Sequence, residues 1–167
     1  MTVTLFIVDA CVLIDFAKTD PSLLRLIVAH VGPIHVPFQV LAEVKQLDAS
    51  TATSLGLRIV DPDLDTAARA AALGGALSFE DRLCLLMAKA SGWTCVSNDR
   101  RLRRTCEDEG VPTLWGLELL LRLVSAGGLP KDQAEEAALA IHCSNPRYVT
   151  KKILLLFEQK LGKIRNG

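Results

Sequence analysis

Apolar residues are spaced along the chain in two ways. Short unbroken runs, bounded by acids, prolines or glycines, alternate with stretches where apolar positions recur every three or four residues. The first pattern suits strands buried on both faces, as in a parallel sheet, and the second suits helices with one buried face. Strands are predicted over residues 3–8, 34–36, 57–60, 93–96 and 111–114, the first being rich in β-branched residues and closed by Asp9. Helices are predicted over 11–18, 22–31 (after Asp20-Pro21), 38–47, 65–73, 78–90 and 100–109, with stop signals at Gly74-Gly75, Ser91-Gly92 and Gly110. In the segment 38–47, Val40, Leu41, Val44 and Leu47 share a face. The order β-α-α-β-α-β-α-α-β-α-β implies an α/β fold: an open, mainly parallel sheet covered by helices. Helices over 117–125, 131–142 and 149–161 lie beyond the sheet. The sharpest break, Ala126-Gly127-Gly128, divides an α/β body (1–125) from a C-terminal helical extension (126–167) expected to pack on the same domain.

A length of 167 residues fits one domain. Nineteen Lys and Arg balance nineteen Asp and Glu, which excludes a globally basic nucleic-acid coat but not a local basic patch. Half the residues are apolar and the mean hydropathy is +0.29, so either the core is large or part of the surface meets another chain; a homodimer is expected. Five cysteines, an odd number with no C-x-x-C spacing, argue against a zinc knuckle and a secreted disulfide framework. The N-terminal run lacks a basic segment and is interrupted by Asp9, unlike a signal peptide, and no stretch has the length of a membrane span. A cytoplasmic setting without a membrane partner is the expectation.

Four acids draw attention jointly rather than singly. Asp9 follows the first strand, Asp99 follows the strand over 93–96, and Asp81 stands three residues after Ser78. Each alone reads as a helix cap or a first-turn acid. Glu43, alone, reads as a solvated position on an otherwise apolar helix. In an open α/β sheet, however, the loops at the carboxyl ends of strands form the binding crevice, and all four acids map to that edge. Carboxylates gathered there repel and raise one another's pKa values. A hard divalent cation, Mg²⁺ or Mn²⁺, takes oxygen ligands and removes that objection, and such a centre suits phosphodiester hydrolysis. His30, His35 and His142 occupy no motif and read as core-edge or surface residues.

Four blocks in order carry a family resemblance: Ile7-Val8-Asp9-Ala10-Cys11-Val12-Leu13-Ile14-Asp15-Phe16, Val36-Pro37-Phe38-Gln39-Val40-Leu41-Ala42-Glu43-Val44, Leu77-Ser78-Phe79-Glu80-Asp81-Arg82-Leu83 and Cys95-Val96-Ser97-Asn98-Asp99-Arg100-Arg101-Leu102-Arg103. Over about residues 3–114 the chain resembles the PIN-domain nucleases. The resemblance implies a three-layer α/β/α fold and a divalent-metal-dependent endoribonuclease that leaves a 5′-phosphate and a 3′-hydroxyl. It implies catalytic acids at Asp9, Glu43, Asp81 and Asp99, with Asp9, Asp81 and Asp99 as metal contacts and Ser97 and Asn98 in support. Many small members resemble the toxin of a VapBC-type toxin–antitoxin pair, which adds an antitoxin as an expected partner. Cys11 stands where such proteins often carry Ser, Thr or Asn. Asp15 also matches a frequent carboxylate, but six residues after Asp9 it lies on another helical face and reads as a supporting residue at best.

Arg100, Arg101, Arg103 and Arg104 follow Asp99 directly. They read equally as a phosphate-guiding rim for RNA or as a solvated helix with Arg103–Glu107 and Arg104–Asp108 pairs. Lys18, Lys45 and Arg82 are weaker additions to that rim. Trp93 and Trp115 lie in apolar runs and read as core. The alternative to an enzyme is a PIN-like module that binds RNA or protein without cleavage. A haloacid-dehalogenase-like phosphatase needs a second Asp where Cys11 stands, and no Gly-rich phosphate loop occurs.

Overall fold

The computed structural model describes residues 2–165. A parallel sheet is formed by β1 (Phe6–Val8), β2 (Ile34–Pro37), β3 (Arg58–Val60), β4 (Thr94–Val96) and β5 (Thr113–Leu114). Helices α1 (Ala10–Thr19) and α2 (Ser22–His30) join β1 to β2, while α3 (Phe38–Leu41) and α4 (Ala49–Ser54) join β2 to β3. Helices α5 (Leu64–Ala72) and α6 (Phe79–Ser91) lead to β4, and α7 (Arg100–Asp108) leads to β5. The chain ends in α8 (Gly116–Ser125), α9 (Lys131–Ser144) and α10 (Lys151–Lys163). This is the sheet covered by helices that the order of elements implies, in the three-layer α/β/α arrangement that the resemblance implies.

The strand order is β3-β2-β1-β4-β5, and every pairing is parallel. The chain lays β2 and β3 on one side of β1 and then crosses to lay β4 and β5 on the other. The order therefore reverses between β1 and β4, and at such a switch point the loops leaving the two strands diverge and open a crevice. Val8 pairs with Val96. Asp9 and Ser97, the next residues of each chain, therefore stand side by side at the mouth of that crevice.

All three residues of β1 are fully buried, as a central strand covered on both faces requires. The hydrophobic cluster that contains Phe6, Ile7 and Val8 runs without a break through Leu119, Leu120 and Leu123 of α8, Ala134, Ala138 and Ile141 of α9, and Leu154, Phe157 and Leu161 of α10. Helix α8, the last of the body, packs on α2 and α9; in the extension, α9 also packs on α1, and α10 packs on α8 and α9. The turn at 126–128 is itself tightly packed. Gly127 takes φ +75°, and a Cβ on Gly128 would lie 2.5 Å from Leu123 Cδ1.

Three expectations need correction. The first strand starts at Phe6 rather than at residue 3, and Val3 is exposed. The helix expected over 38–47 stops at Leu41. Beyond it the backbone bonds tighten to a spacing of three, from Glu43 N to Val40 O (3.1 Å) and from Val44 N to Leu41 O (2.9 Å). Val40, Leu41, Val44 and Leu47 are still buried, so the apolar spacing that suggested one long helix is satisfied by a helical turn followed by tight turns. Helix α4 was not anticipated; Asp48 caps it by accepting a hydrogen bond from Thr51 N at 2.7 Å.

Since one continuous core links body and extension, Phe157→Ala is expected to cost about 3–5 kcal/mol. Urea unfolding followed by tryptophan fluorescence and by far-ultraviolet circular dichroism should give a single coincident transition at lower midpoint. Two separated transitions would show that the extension melts independently.

Candidate active site

Asp9 is the residue after β1 and is 4% exposed. Its Oδ1 accepts a hydrogen bond from Val12 N at 3.0 Å, which caps α1. Its Oδ2 accepts a short hydrogen bond from the Ser97 hydroxyl. Ser97 Oγ in turn accepts from Asp99 N at 2.9 Å, and Asp99 Oδ1 caps α7 by accepting from Arg101 N at 2.8 Å. The ends of β1 and β4 are thus joined by a chain of polar contacts through one buried serine. Asp81 stands in the first turn of α6, where its own N–H donates to the capping Ser78 Oγ at 3.1 Å.

The acids act on one another's charge. Burial pushes the Asp9 carboxyl up from an ordinary 3.8 to about 7; hydrogen bonds from Ser97 and Val12 oppose this, and the charges of Asp81 and Asp99 add to it. Asp81 is raised chiefly by burial and also by Asp99 and Glu80. Glu43 is raised by burial, then by Glu80 and Asp81. Asp9, Asp81 and Asp99 thus share one charged region, and Glu43 is coupled to it through Asp81 and Glu80. Glu43 reaches it from an exposed turn after α3 rather than from a core-facing helix.

No cation pairs with these acids: the ion pairs among the described residues are Lys89–Glu109 and Lys160–Glu118. Among the described residues, no three His, Cys, Asp or Glu side chains stand close enough to chelate a single ion as placed. The donor set is nonetheless all oxygen, carries several like charges and includes a buried carboxylate that resists ionisation. It fits a hard divalent cation such as Mg²⁺ or Mn²⁺, with water completing the shell. The Cys11 thiol is pushed up to about 12, first by burial and then by Asp9 and Asp15, so it stays protonated at neutral pH.

Asp15 and Asn98 have larger roles than their sequence context suggests. Asp15 is buried on the inner side of α1. Its Oδ2 accepts from Asn98 Nδ2 at 2.9 Å, and its Oδ1 accepts from Asn145 Nδ2 at 3.0 Å. Asn98 Oδ1 accepts from Gly116 N at 2.9 Å, and a Cβ at Gly116 would lie only 3.2 Å from that oxygen. This network ties the loop after β4 to α1, α8 and the α9–α10 connection. Nothing local marks Asn145; the only available signal was the presence of Asp15 itself.

The arginines divide. Arg103 Nη1 donates to Ser97 O at 2.8 Å, and its guanidinium lies 5.1 Å from the Trp115 ring centre, so it braces the loop that carries Ser97. Arg100, Arg101 and Arg104 are exposed, and the expected Arg103–Glu107 and Arg104–Asp108 ion pairs do not form. Arg82 Nη1 instead donates to Ala70 O at 3.1 Å, joining α6 to α5. His35 is buried and stacks on Trp93 at 4.1 Å, His142 Nδ1 contacts Val149 O at 2.6 Å, and His30 is exposed, all outside the acid cluster.

Comparison with known proteins agrees with this fold. The sequence model of the family described as PIN domain matches residues 6–108. No curated protein matches the chain. Among solved structures, the chain is similar to a PilT N-terminus domain protein from the hyperthermophilic archaeon Sulfolobus solfataricus P2. The TM-score is 0.52 at 12% identity, covering 74% of this chain and 93% of that one. At that identity the likeness speaks for the fold alone.

The raised Asp9 pKa sets a pH dependence. The folded protein holds this proton up to about pH 7, whereas the unfolded chain releases it near pH 3.8. Between these values the folded state binds more protons, so stability falls as pH rises, and Asp15, Asp81 and Glu43 shift in the same direction. For Asp9 the full effect is on the order of 4 kcal/mol. In EDTA, thermal melts are expected to decline from pH 4.5 to 7.5, and Asp9→Asn should flatten most of that slope.

Proposed function

Because the chain belongs to the PIN domain family, matched over residues 6–108, we propose that it is a divalent-metal-dependent endoribonuclease with Asp9, Glu43, Asp81 and Asp99 as its catalytic acids. The observation that carries this reading is the buried Asp9 carboxylate at the switch point of the sheet, pushed up to about 7 and facing further acids, with no cation paired to it among the described residues. An arrangement that opposes its own ionisation costs stability and has a use only where a positive ligand or a proton is to be held.

Asp9, Asp81 and Asp99 would hold Mg²⁺ or Mn²⁺, which when bound lowers the pKa of a water and offsets the charge gathering on a phosphate. The protein's own groups do the rest. Val12 N and Ser97 Oγ fix both Asp9 oxygens, so the carboxylate is oriented in advance. Asn98, held by Asp15 and Gly116, fixes the loop that carries Asp99. Glu43, on its exposed turn, positions the attacking water. The water oxygen bonds to phosphorus in line with the departing 3′-oxygen, which takes up a proton and leaves a 3′-hydroxyl and a 5′-phosphate. Arg100, Arg101 and Arg104 gather the phosphate backbone beside the acids.

Within the family, the proposed role is that of a VapC-like toxin working as a homodimer and neutralised by an antitoxin. A mean hydropathy of +0.29 supports a second chain, since so apolar a sequence either has a large core or covers part of its surface.

Asp9→Asn, Asp81→Asn and Asp99→Asn are each expected to lower Mn²⁺-dependent cleavage of a labelled RNA more than about 100-fold, beyond the 10–100-fold typical of outer-shell residues. Ser97→Ala should fall within that outer-shell range. Gel-resolved products will decide the matter: full cleavage by Asp9→Asn removes Asp9 from the site, and cleavage unaffected by EDTA removes the metal. Light scattering at micromolar concentration should give twice the mass of 18.1 kDa; a monomer would count against the dimer.

A further inference from the structure

A cleft of about 860 Å³ runs beside the acid cluster, with Asn98 and Asp99 at its edge. That volume is toward the upper end of ~300–1,000 Å³ ligand clefts. One wall is the first half of α7, with Arg100, Arg101 and Arg104. The facing wall belongs to the C-terminal extension, from the α9–α10 connection into α10, with Arg147, Tyr148 and Lys152. Trp115, under Arg103, also lines it.

Charge in this cleft departs sharply from the whole. The chain has zero net charge, yet the lining holds six cationic side chains against a single acid, Asp99. Neither of the ion pairs among the described residues uses any of the six. Positive charge concentrated in a concave surface attracts a polyanion. Aromatic rings among those cations add a second element: Tyr148 is 38% exposed, and the Arg147 guanidinium lies 5.5 Å from its ring centre. Tyrosine rings and arginine planes stack on any unpaired base, whereas a duplex keeps its bases stacked inside. An acidic protein segment would answer to the charge but would have no use for the rings.

We propose that the C-terminal extension forms one wall of the substrate track: single-stranded RNA lies in this cleft, with phosphates on Arg147 and Lys152 and a base on Tyr148. The choice of RNA rests on the ribonuclease reading. The extension is then a working part of the nuclease, and a strand held in the cleft passes a phosphate to the acids through the edge at Asp99.

The test is fluorescence anisotropy of a labelled oligouridylate with the full chain in EDTA, where no cleavage competes. The double variant Arg147→Ala, Lys152→Ala should weaken binding about tenfold or more and reduce the slope of log affinity against log salt by about 1.4, or about 0.7 for each lost phosphate contact. Tyr148→Ala should weaken it about fivefold or more, and Tyr148→Phe should bind like wild type. Duplex RNA of equal length should bind less tightly than the single strand. Unchanged melting temperatures would show that these surface variants fold. Wild-type affinity and slope in the double variant would overturn the proposal, as would a duplex bound as tightly as the single strand. Competition by poly-glutamate equal to that by RNA would assign the cleft to an acidic protein segment and likewise overturn it. Because binding is read without metal, failure to cleave RNA would count against the ribonuclease reading alone, and cleavage with unaffected binding would count against the track alone.

Discussion

The Asp9 carboxylate is buried at the end of the central strand, and its two oxygens accept hydrogen bonds from groups that meet only there, Val12 N at the start of α1 and the Ser97 hydroxyl at the end of β4. Removing a carboxyl group from water costs several kcal/mol unless it is neutral, paired or hydrogen-bonded. In this protein two hydrogen bonds reduce that cost without removing it, and neighbouring acids increase it. Much of the remaining site serves to keep this group where it is. The β1–β4 pairing sets Ser97 beside it, Arg103 braces the Ser97 carbonyl, and Trp115 supports Arg103.

The capping reading of the acids is met, and it leaves room for the functional one. Asp9 and Asp99 cap α1 and α7, and Asp81 sits in the first turn of α6 behind the cap Ser78. A cap occupies one lone pair of one oxygen. It also directs the helix N-terminus, with its partial positive charge, toward the carboxylate and fixes the side chain in place. Capping therefore pre-orients these groups rather than competing with a ligand role. In a parallel sheet the helices start at the carboxyl ends of the strands, so capping acids of different helices collect at one edge as a consequence of topology.

The extension is joined to the body in two ways. Its apolar face continues the central core, and Asn145 reaches back to Asp15, which also holds Asn98. Apolar packing is indifferent to small rotations, whereas a buried carboxylate shared between two amides fixes direction. The segment 147–152 thereby acquires a defined position opposite α7, across the basic cleft.

What depended on neighbours in sequence was legible. Apolar spacing located the five strands and most helices, because burial repeats with the period of the backbone. A mainly parallel sheet puts Asp9 and Asp99, each next to the end of a strand, at one edge whatever the strand order. The same spacing failed at 38–47, since a helix and a series of tight turns bury the same apolar positions; the difference lies in hydrogen bonding, which apolar pattern does not encode. Local sequence gives Asp15 little weight and does not mark Asn145, because the bonds that matter join Asp15 to groups 83 and 130 residues away along the chain. The cleft wall at Arg147, Tyr148 and Lys152 belongs with these. Periodicity and capping are local chemistry and can be read from the order of residues, whereas the meeting of side chains across the chain is decided only when helices and strands pack, because packing alone sets which distant groups share a dry or a charged space.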